Sequence, residues 1–217
     1  MSDELLKEQA AKAVIALIDD DMTVGVGTGS TVNYFIDALA SVKHIINAAV
    51  ASSEATAQRL KAHAIPVVDL NAAGDIDIYV DGADEVNEQK LMIKGGGGAL
   101  TREKLVSQVA KEFVCIVHSE KRVKLLGKFP IAVEVLPMAR SYVAREIVKL
   151  GGDPEYRDGF VTDNGNIIID VYDLDLTQPL LMEERLKQIT GVVESGLFAK
   201  RTADKVIVAT KEGITRY

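Results

Sequence analysis

Two short segments combine carboxylates, a lysine and glycines in a way that can move protons. Val80-Asp81-Gly82-Ala83-Asp84-Glu85 puts three carboxylates directly after an apolar run, where an open α/β sheet presents its ligands. Met92-Ile93-Lys94-Gly95-Gly96-Gly97-Gly98 then supplies a cation followed by four glycines, and Glu103 lies nine residues beyond Lys94. Paired carboxylates push their pKa values apart and so divide acid from base duty. Glycine amides can ring an oxyanion, with Lys94 as the positive partner. Glu103 is expected in the first turn of a helix, where the dipole lowers its pKa; exclusion of water around a substrate acts the other way. Each segment also has a plainer reading, an Asp-Gly turn feeding an Asp cap or a first-turn Glu that only stabilises its helix. Clustered carboxylates suit Mg²⁺, but the spacing fits no Ca²⁺ loop and no histidine lies nearby in sequence.

Gly25-Val26-Gly27-Thr28-Gly29-Ser30-Thr31 sits between an expected strand and an expected helix. Free N–H groups at a helix start attract anions, and glycines admit a ligand close to the backbone. A dinucleotide fingerprint is not met: position 30 is Ser where Gly is needed. Ser52 and Ser53 also stand where an acidic residue should hold a ribose. Phosphate binding or a hydroxyl-capped turn remain for this loop. Around a later strand end lie Cys115, His118, Lys121 and Lys124. Cys115 within Phe-Val-Cys-Ile-Val reads as a small core residue, whereas Lys121 just after the strand is placed for a ligand contact. His44, His63 and His118 are too scattered for a metal pair.

These residues need a scaffold that brings strand ends to one edge. Helical spacing over 5–18, a β-branched strand over 23–26 and a helix over 32–39 capped by Ser30 or Thr31 open the chain. Strands follow at 45–51, 65–70, 76–80 and 91–93, with a helix after Ser52 and Ser53 running to about Ala62. A helix over 101–110 and a buried strand over 113–117 complete the pattern of a parallel sheet covered on both faces. After Lys128 the rhythm becomes β-α-β-β-α-β: a strand at 131–136, a helix opened by Pro137, strands at 154–157 and 167–171, a helix at 180–189 and a strand at 192–198. That order is ferredoxin-like. Strands at 206–209 and 214–217 are expected to return to the first sheet. The chain therefore reads as a Rossmann-like α/β domain over 1–128 and 204–217, interrupted by a smaller α+β domain over 129–203.

With 217 residues, 47% hydrophobic and 26% charged, the chain is long enough to bury a core without staples. A single cysteine points to a reducing compartment. The first residues lack the basic-then-apolar order of a signal peptide, and no uncharged stretch is long and apolar enough to span a membrane. A net charge of −7 without a Lys/Arg block excludes a nucleic-acid surface. It also requires that any anionic ligand be attracted locally against the overall field.

Taken in register, these segments closely resemble the type A family of ribose-5-phosphate isomerases. The resemblance rests on Gly27-Thr28-Gly29-Ser30-Thr31, Tyr79 to Glu85, Met92 to Gly97, Ala99-Leu100-Thr101-Arg102-Glu103-Lys104, Gly127-Lys128-Phe129-Pro130 and Val161-Thr162-Asp163-Asn164-Gly165-Asn166. It spans nearly the whole chain. It implies interconversion of D-ribose 5-phosphate and D-ribulose 5-phosphate in the pentose phosphate pathway, with no cofactor and no required metal. By position it implies Glu103 as the base shuttling a proton between C2 and C1. Asp81, with Asp84 beside it, is implied in ring opening and hydroxyl proton transfer, and Lys94 in stabilising the enediolate oxygen. Thr28, Gly29, Ser30, Thr31, Asp81, Gly82, Ala83, Asp84, Lys94, Gly95, Gly96, Gly97 and Lys121 fall at substrate contacts, and Lys7 is a further phosphate candidate. The resemblance also implies a cytoplasmic homodimer or homotetramer whose smaller domain acts as a lid. A sugar-phosphate-binding sensor without turnover, or an isomerase for another sugar phosphate, are the alternatives. Such sensors generally carry a DNA-binding segment, whereas this chain opens on the domain's first helix.

Overall fold

A computed structural model describes residues 2–217 of the chain. In order, the elements are α1 (Asp3–Ile15), β1 (Thr23–Val26), α2 (Ser30–Leu39), β2 (Ala48–Ala51), α3 (Glu54–Ala62), β3 (Ile76–Asp81), β4 (Glu85–Val86), β5 (Met92–Ile93), α4 (Leu100–Val109) and β6 (Ala110–His118). There follow β7 (Ile131–Val135), α5 (Arg140–Lys149), β8 (Asp153–Tyr156), β9 (Ile167–Tyr172), α6 (Pro179–Gln188), β10 (Val192–Ser195), β11 (Leu197–Phe198), β12 (Lys205–Thr210) and β13 (Gly213–Arg216). They divide into two compact units. The first comprises Met1–Ala83, Arg102–Arg122 and Ala203–Tyr217, the second Asp84–Thr101 and Val123–Thr202.

The first unit is built on a six-stranded sheet in the order β13-β12-β6-β3-β1-β2. The five strands from β12 to β2 run parallel, and β13 closes the edge antiparallel to β12. Every residue of β1 is buried, and Val24, Val26, Ile78, Val80, Val114 and Ile116 share one core with Leu6, Ala10 and Val14 of α1 and Phe35, Ile36 and Leu39 of α2. The helices contribute one stripe each, and the strands are apolar on both faces because helices cover both. Parallel strands end at the same edge, so the residues after β1, β2, β3 and β6 are gathered there. This is the Rossmann-like α/β arrangement expected from the sequence.

The second unit holds a four-stranded antiparallel sheet in the order β10-β7-β9-β8. With α5 and α6 as its crossovers, this is the ferredoxin-like order. Ile131, Val133 and Val135 of β7 pack with Ile169, Val143, Ile147 and Leu186. Strand alternation turns Glu134 to the opposite face. There, fully buried, its carboxylate accepts hydrogen bonds from the Thr162 hydroxyl at 2.9 Å, the Asn166 amide at 2.8 Å, the Asn164 amide at 3.1 Å and the Thr101 hydroxyl. The turn-rich Thr162–Asn166 segment is thus a ring of donors around one buried charge.

Four expectations need correction. Residues 84–101, placed in the larger domain by the sequence reading, belong to the second unit, because β4 and β5 pair with each other and β5 with β11. The boundary at 128/129 moves to 122/123 for the same reason, the Val123 N–H donating to the Val86 carbonyl. The strand expected over 65–70 shrinks to a single bridge between Ala49 and Val67, since Pro66 brings no N–H to the ladder. The strand expected over 192–198 breaks at Gly196, which passes the chain from β7 to β5. A Cβ there would lie 2.0 Å from the Lys94 carbonyl oxygen.

Candidate active site

In the first unit the β1 turn is organised around Asp81, the last residue of β3. Asp81 is fully buried and accepts hydrogen bonds from the Thr28 N–H at 3.1 Å, the Gly82 N–H at 2.7 Å and the Tyr79 hydroxyl. Tyr79 lies two residues back on the same strand and hence on the same face. Burial first, then the charges of Asp81 and Glu103, push the Tyr79 phenol well above its ordinary range, so it stays protonated and keeps a proton to donate to Asp81. Gly27 makes room for the carboxylate: a Cβ at this position would lie 2.0 Å from Asp81 Cγ. Gly25 instead admits the Tyr79 ring and Val106, at 2.8 and 2.9 Å from a Cβ built there. The first two glycines of the loop therefore serve packing and Asp81, not a pyrophosphate.

The cap expected from Ser30 or Thr31 is not formed by either. Gly29 is the N-cap of α2, at φ +124°, and Ser30 and Thr31 occupy the first helical positions without a side-chain cap. Their hydroxyls and the first-turn amides stay at the helix start, where an anion is favoured. Thr28 is bound into a hydroxyl cluster, with Ser52 at 2.8 Å, Ser53 at 2.9 Å and Thr56 at 3.3 Å. Ser53 in turn caps α3.

Glu103 is buried in the first turn of α4, and its charge acts on Tyr79 together with that of Asp81. Lys7, on α1, pairs with Glu4 at 2.9 Å, and Lys121 ends the short turn after β6. Both lysines act on the buried His118 imidazole, whose pKa is lowered mainly by burial and raised in opposition by Asp3 and Glu120. The structure therefore brings Lys7 and Lys121 into one neighbourhood from distant parts of the chain. Asp3, His118 and Glu120 offer ligand-type atoms within 4.8 Å of one another, and the positive charges of Lys121 and Lys7 also act on His118.

In the second unit Asp84 accepts the Gly96 N–H at 2.8 Å, and its own N–H donates to the Ile93 carbonyl. Lys94 is almost fully buried; its N–H donates to the Gly196 carbonyl at 2.8 Å and its ammonium stands 5.7 Å from the Phe198 ring centre. Gly95 and Gly98 have φ of +108° and +76°, which a side chain would resist, and the Gly98 N–H closes a turn on the Gly95 carbonyl. Glu85, the third carboxylate of its segment, has a different task. It receives the N–H groups of Gly127 at 2.8 Å and Phe129 at 2.6 Å and so ties down that loop.

The model of the ribose 5-phosphate isomerase A (phosphoriboisomerase A) family matches residues 48–213. The chain is 66% identical over 209 residues to ribose-5-phosphate isomerase A of Legionella pneumophila, covering 96% of this chain and 97% of the relative. The chain belongs to the ribose-5-phosphate isomerase A family. Its fold superposes on the solved ribose 5-phosphate isomerase A of Neisseria gonorrhoeae with a TM-score of 0.97, at 44% identity, covering 99% and 96% of the two chains. A D-ribose-5-phosphate isomerase solved with phospho-erythronic acid matches at a TM-score of 0.96 and 39% identity, over 100% of this chain and 99% of that one. The family interconverts ribose 5-phosphate and ribulose 5-phosphate, and this chain is accordingly an aldose–ketose isomerase.

For an isomerase of this kind the sequence reading singled out the carboxylates and missed the groups that hold them. Tyr79 stood in the resembling segment with no role assigned, although its spacing of two from Asp81 on a strand was the signal. Ser52 and Ser53 entered only as a missing acidic residue, and the structure makes them partners of Thr28. Among the described residues no helix is long and apolar enough to cross a membrane.

Proposed function

We propose that Glu103 is the base of the isomerisation, taking the C2 proton of ribose 5-phosphate and returning it to C1. Moving a carbonyl between adjacent carbons needs one such base, and a positive group where oxyanion charge develops. Lys94, with the amides of Gly95, Gly96 and Gly97, takes that second role. Asp81 moves the hydroxyl proton and opens the ring, held in place by Tyr79, Gly82 and Thr28, and Asp84 assists beside the glycine loop. Thr28 to Thr31 hold the phosphate, with Lys7 and Lys121 as its cations and Gly82 and Ala83 as backbone contacts. Local donors of this kind overcome a net charge of −7. The observation that carries the reading is the pair Glu103 and Asp81, both buried and both acting on Tyr79.

Replacing Glu103 by Gln is expected to leave binding of phospho-erythronic acid intact and to abolish exchange of C2 deuterium with solvent. Near-parental turnover in that variant sinks the assignment. The reading further takes the first unit as catalytic and the second as a lid and oligomerisation domain. It also takes the protein as a homodimer or homotetramer, which light scattering measures directly. The single cysteine, buried and unable to form a disulfide within the chain, supports a reducing cytoplasm.

A further inference from the structure

A run of four glycines is the costliest loop to order, so a loop of this kind that holds a transition state needs something to clamp it. Within the second unit that clamp is visible. Arg157, just beyond β8, donates from one terminal nitrogen to the carbonyls of Gly95 at 3.2 Å and Gly96 at 3.3 Å. Its other nitrogens form a fork on Asp170 of β9, at 2.8 and 2.5 Å, and its guanidinium plane lies 5.3 Å from the Phe160 ring centre. Phe160 also occupies the space a side chain at Gly98 would need, 2.2 Å from a Cβ built there. The guanidinium is held on one edge and one face before it reaches the loop.

The consequence follows from peptide geometry. In a planar trans peptide the C=O and the following N–H point in opposite directions. Turning the Gly95 carbonyl onto Arg157 therefore turns the Gly96 N–H away from it, and that N–H is the one bonded to Asp84. Turning the Gly96 carbonyl onto Arg157 sends the Gly97 N–H the same way. A positive charge on the carbonyl side also polarises both peptides, strengthening the two donors. Asp170 balances the charge of Arg157, so the field it adds is local.

We propose that Arg157 is a positioning residue for the isomerisation, which holds the Gly96 N–H on Asp84 and aims the Gly97 amide at the substrate without touching it. The proposal rests on the reading above, in which Lys94 and the glycine amides hold the enediolate oxygen. Arg157→Lys keeps the cation and removes the fork. Since misplacing catalytic groups by about an ångström costs around a hundredfold, kcat is expected to fall by about ten- to a hundredfold, with KM changed less than about threefold. Affinity for inorganic phosphate should be unchanged, whereas affinity for phospho-erythronic acid, whose carboxylate mimics the enediolate oxygens, should fall in step with kcat. Asp170→Asn leaves the guanidinium but loosens it, and stays informative if the lysine variant melts early; it too must lower kcat with phosphate affinity intact. Unchanged kcat, or a parallel loss of phosphate affinity, overturns the positioning role. Lys94→Gln measured alongside separates the two ideas: if it also keeps full kcat, the oxyanion reading itself has failed.

Discussion

The Tyr79 hydroxyl donates to Asp81 from two residues back on the same buried strand, giving a carboxylate in the candidate site a partner that cannot ionise at neutral pH. Tyr79→Phe removes that donor and leaves the ring, which stacks at 5.0 Å against Phe113. The variant is expected to fold, to lose about 1–2 kcal/mol of stability, and to lose roughly tenfold in kcat as Asp81 is freed to turn. Thermal melts and steady-state kinetics on ribose 5-phosphate check both halves. A parental kcat would mean that Asp81 is held without the Tyr79 hydroxyl.

Gly27→Ala tests the same carboxylate from the other side. The added methyl overlaps Asp81 Cγ, and the neighbouring atoms belong to a fully buried carboxylate that cannot swing clear. Overpacking of this kind costs about 1–3 kcal/mol, and the displaced carboxylate should reduce kcat by more than about a hundredfold. A ligand-binding measurement with inorganic phosphate should show that the anion locus survives.

Turnover in excess chelator is expected to match turnover without it. Asp81, Asp84 and Glu85 spend their oxygens on different protein N–H and O–H donors, Glu85 on the loop at Gly127 and Phe129. An activity loss that only Mg²⁺ restores would return these carboxylates to a metal role.

Asp77 carries a pH dependence whose sign is set by its partners. Lys111 at 2.9 Å, then the Thr23 N–H at 2.9 Å, lower its pKa below the ordinary 3.8. A carboxyl with a depressed folded pKa stabilises the fold above its unfolded pKa and loses that contribution as pH falls through the folded value. Asp77→Asn should therefore melt earlier than the parent at pH 7, and the gap should close as pH drops below 3.8. A gap that persists in acid would place the effect in packing.

Much of this arrangement was legible in the residues alone. Apolar runs ending in glycine and carboxylate positions identify parallel strands and the edge where chemistry sits, because burial on both faces leaves no room for alternation. Hence β1, β3 and the ferredoxin-like order of the second unit were expected, and Asp81, Lys94 and Glu103 were singled out as the groups proposed to carry the chemistry. Other features depend on groups far apart in the chain. Nothing near Thr162–Asn166 says that its side chains surround Glu134, since the partner lies 28 to 32 residues away. Residues 84–101 join the second unit because two-residue strands find a partner at Leu197–Phe198, a pairing too short to leave a pattern.

The sequence by itself determined most of the elements and the residue types of the candidate site, which are written in local spacing, and the family through its resemblance in motifs matched in register along the chain. Only the tertiary structure decided how those residues are held. Tyr79 behind Asp81, Gly27 making space for it, and Arg157 gripping Gly95 and Gly96 are matters of which atoms meet. Such meetings follow from the packing of whole strands and helices, and the residues that make them carry no mark of it in their own neighbourhood.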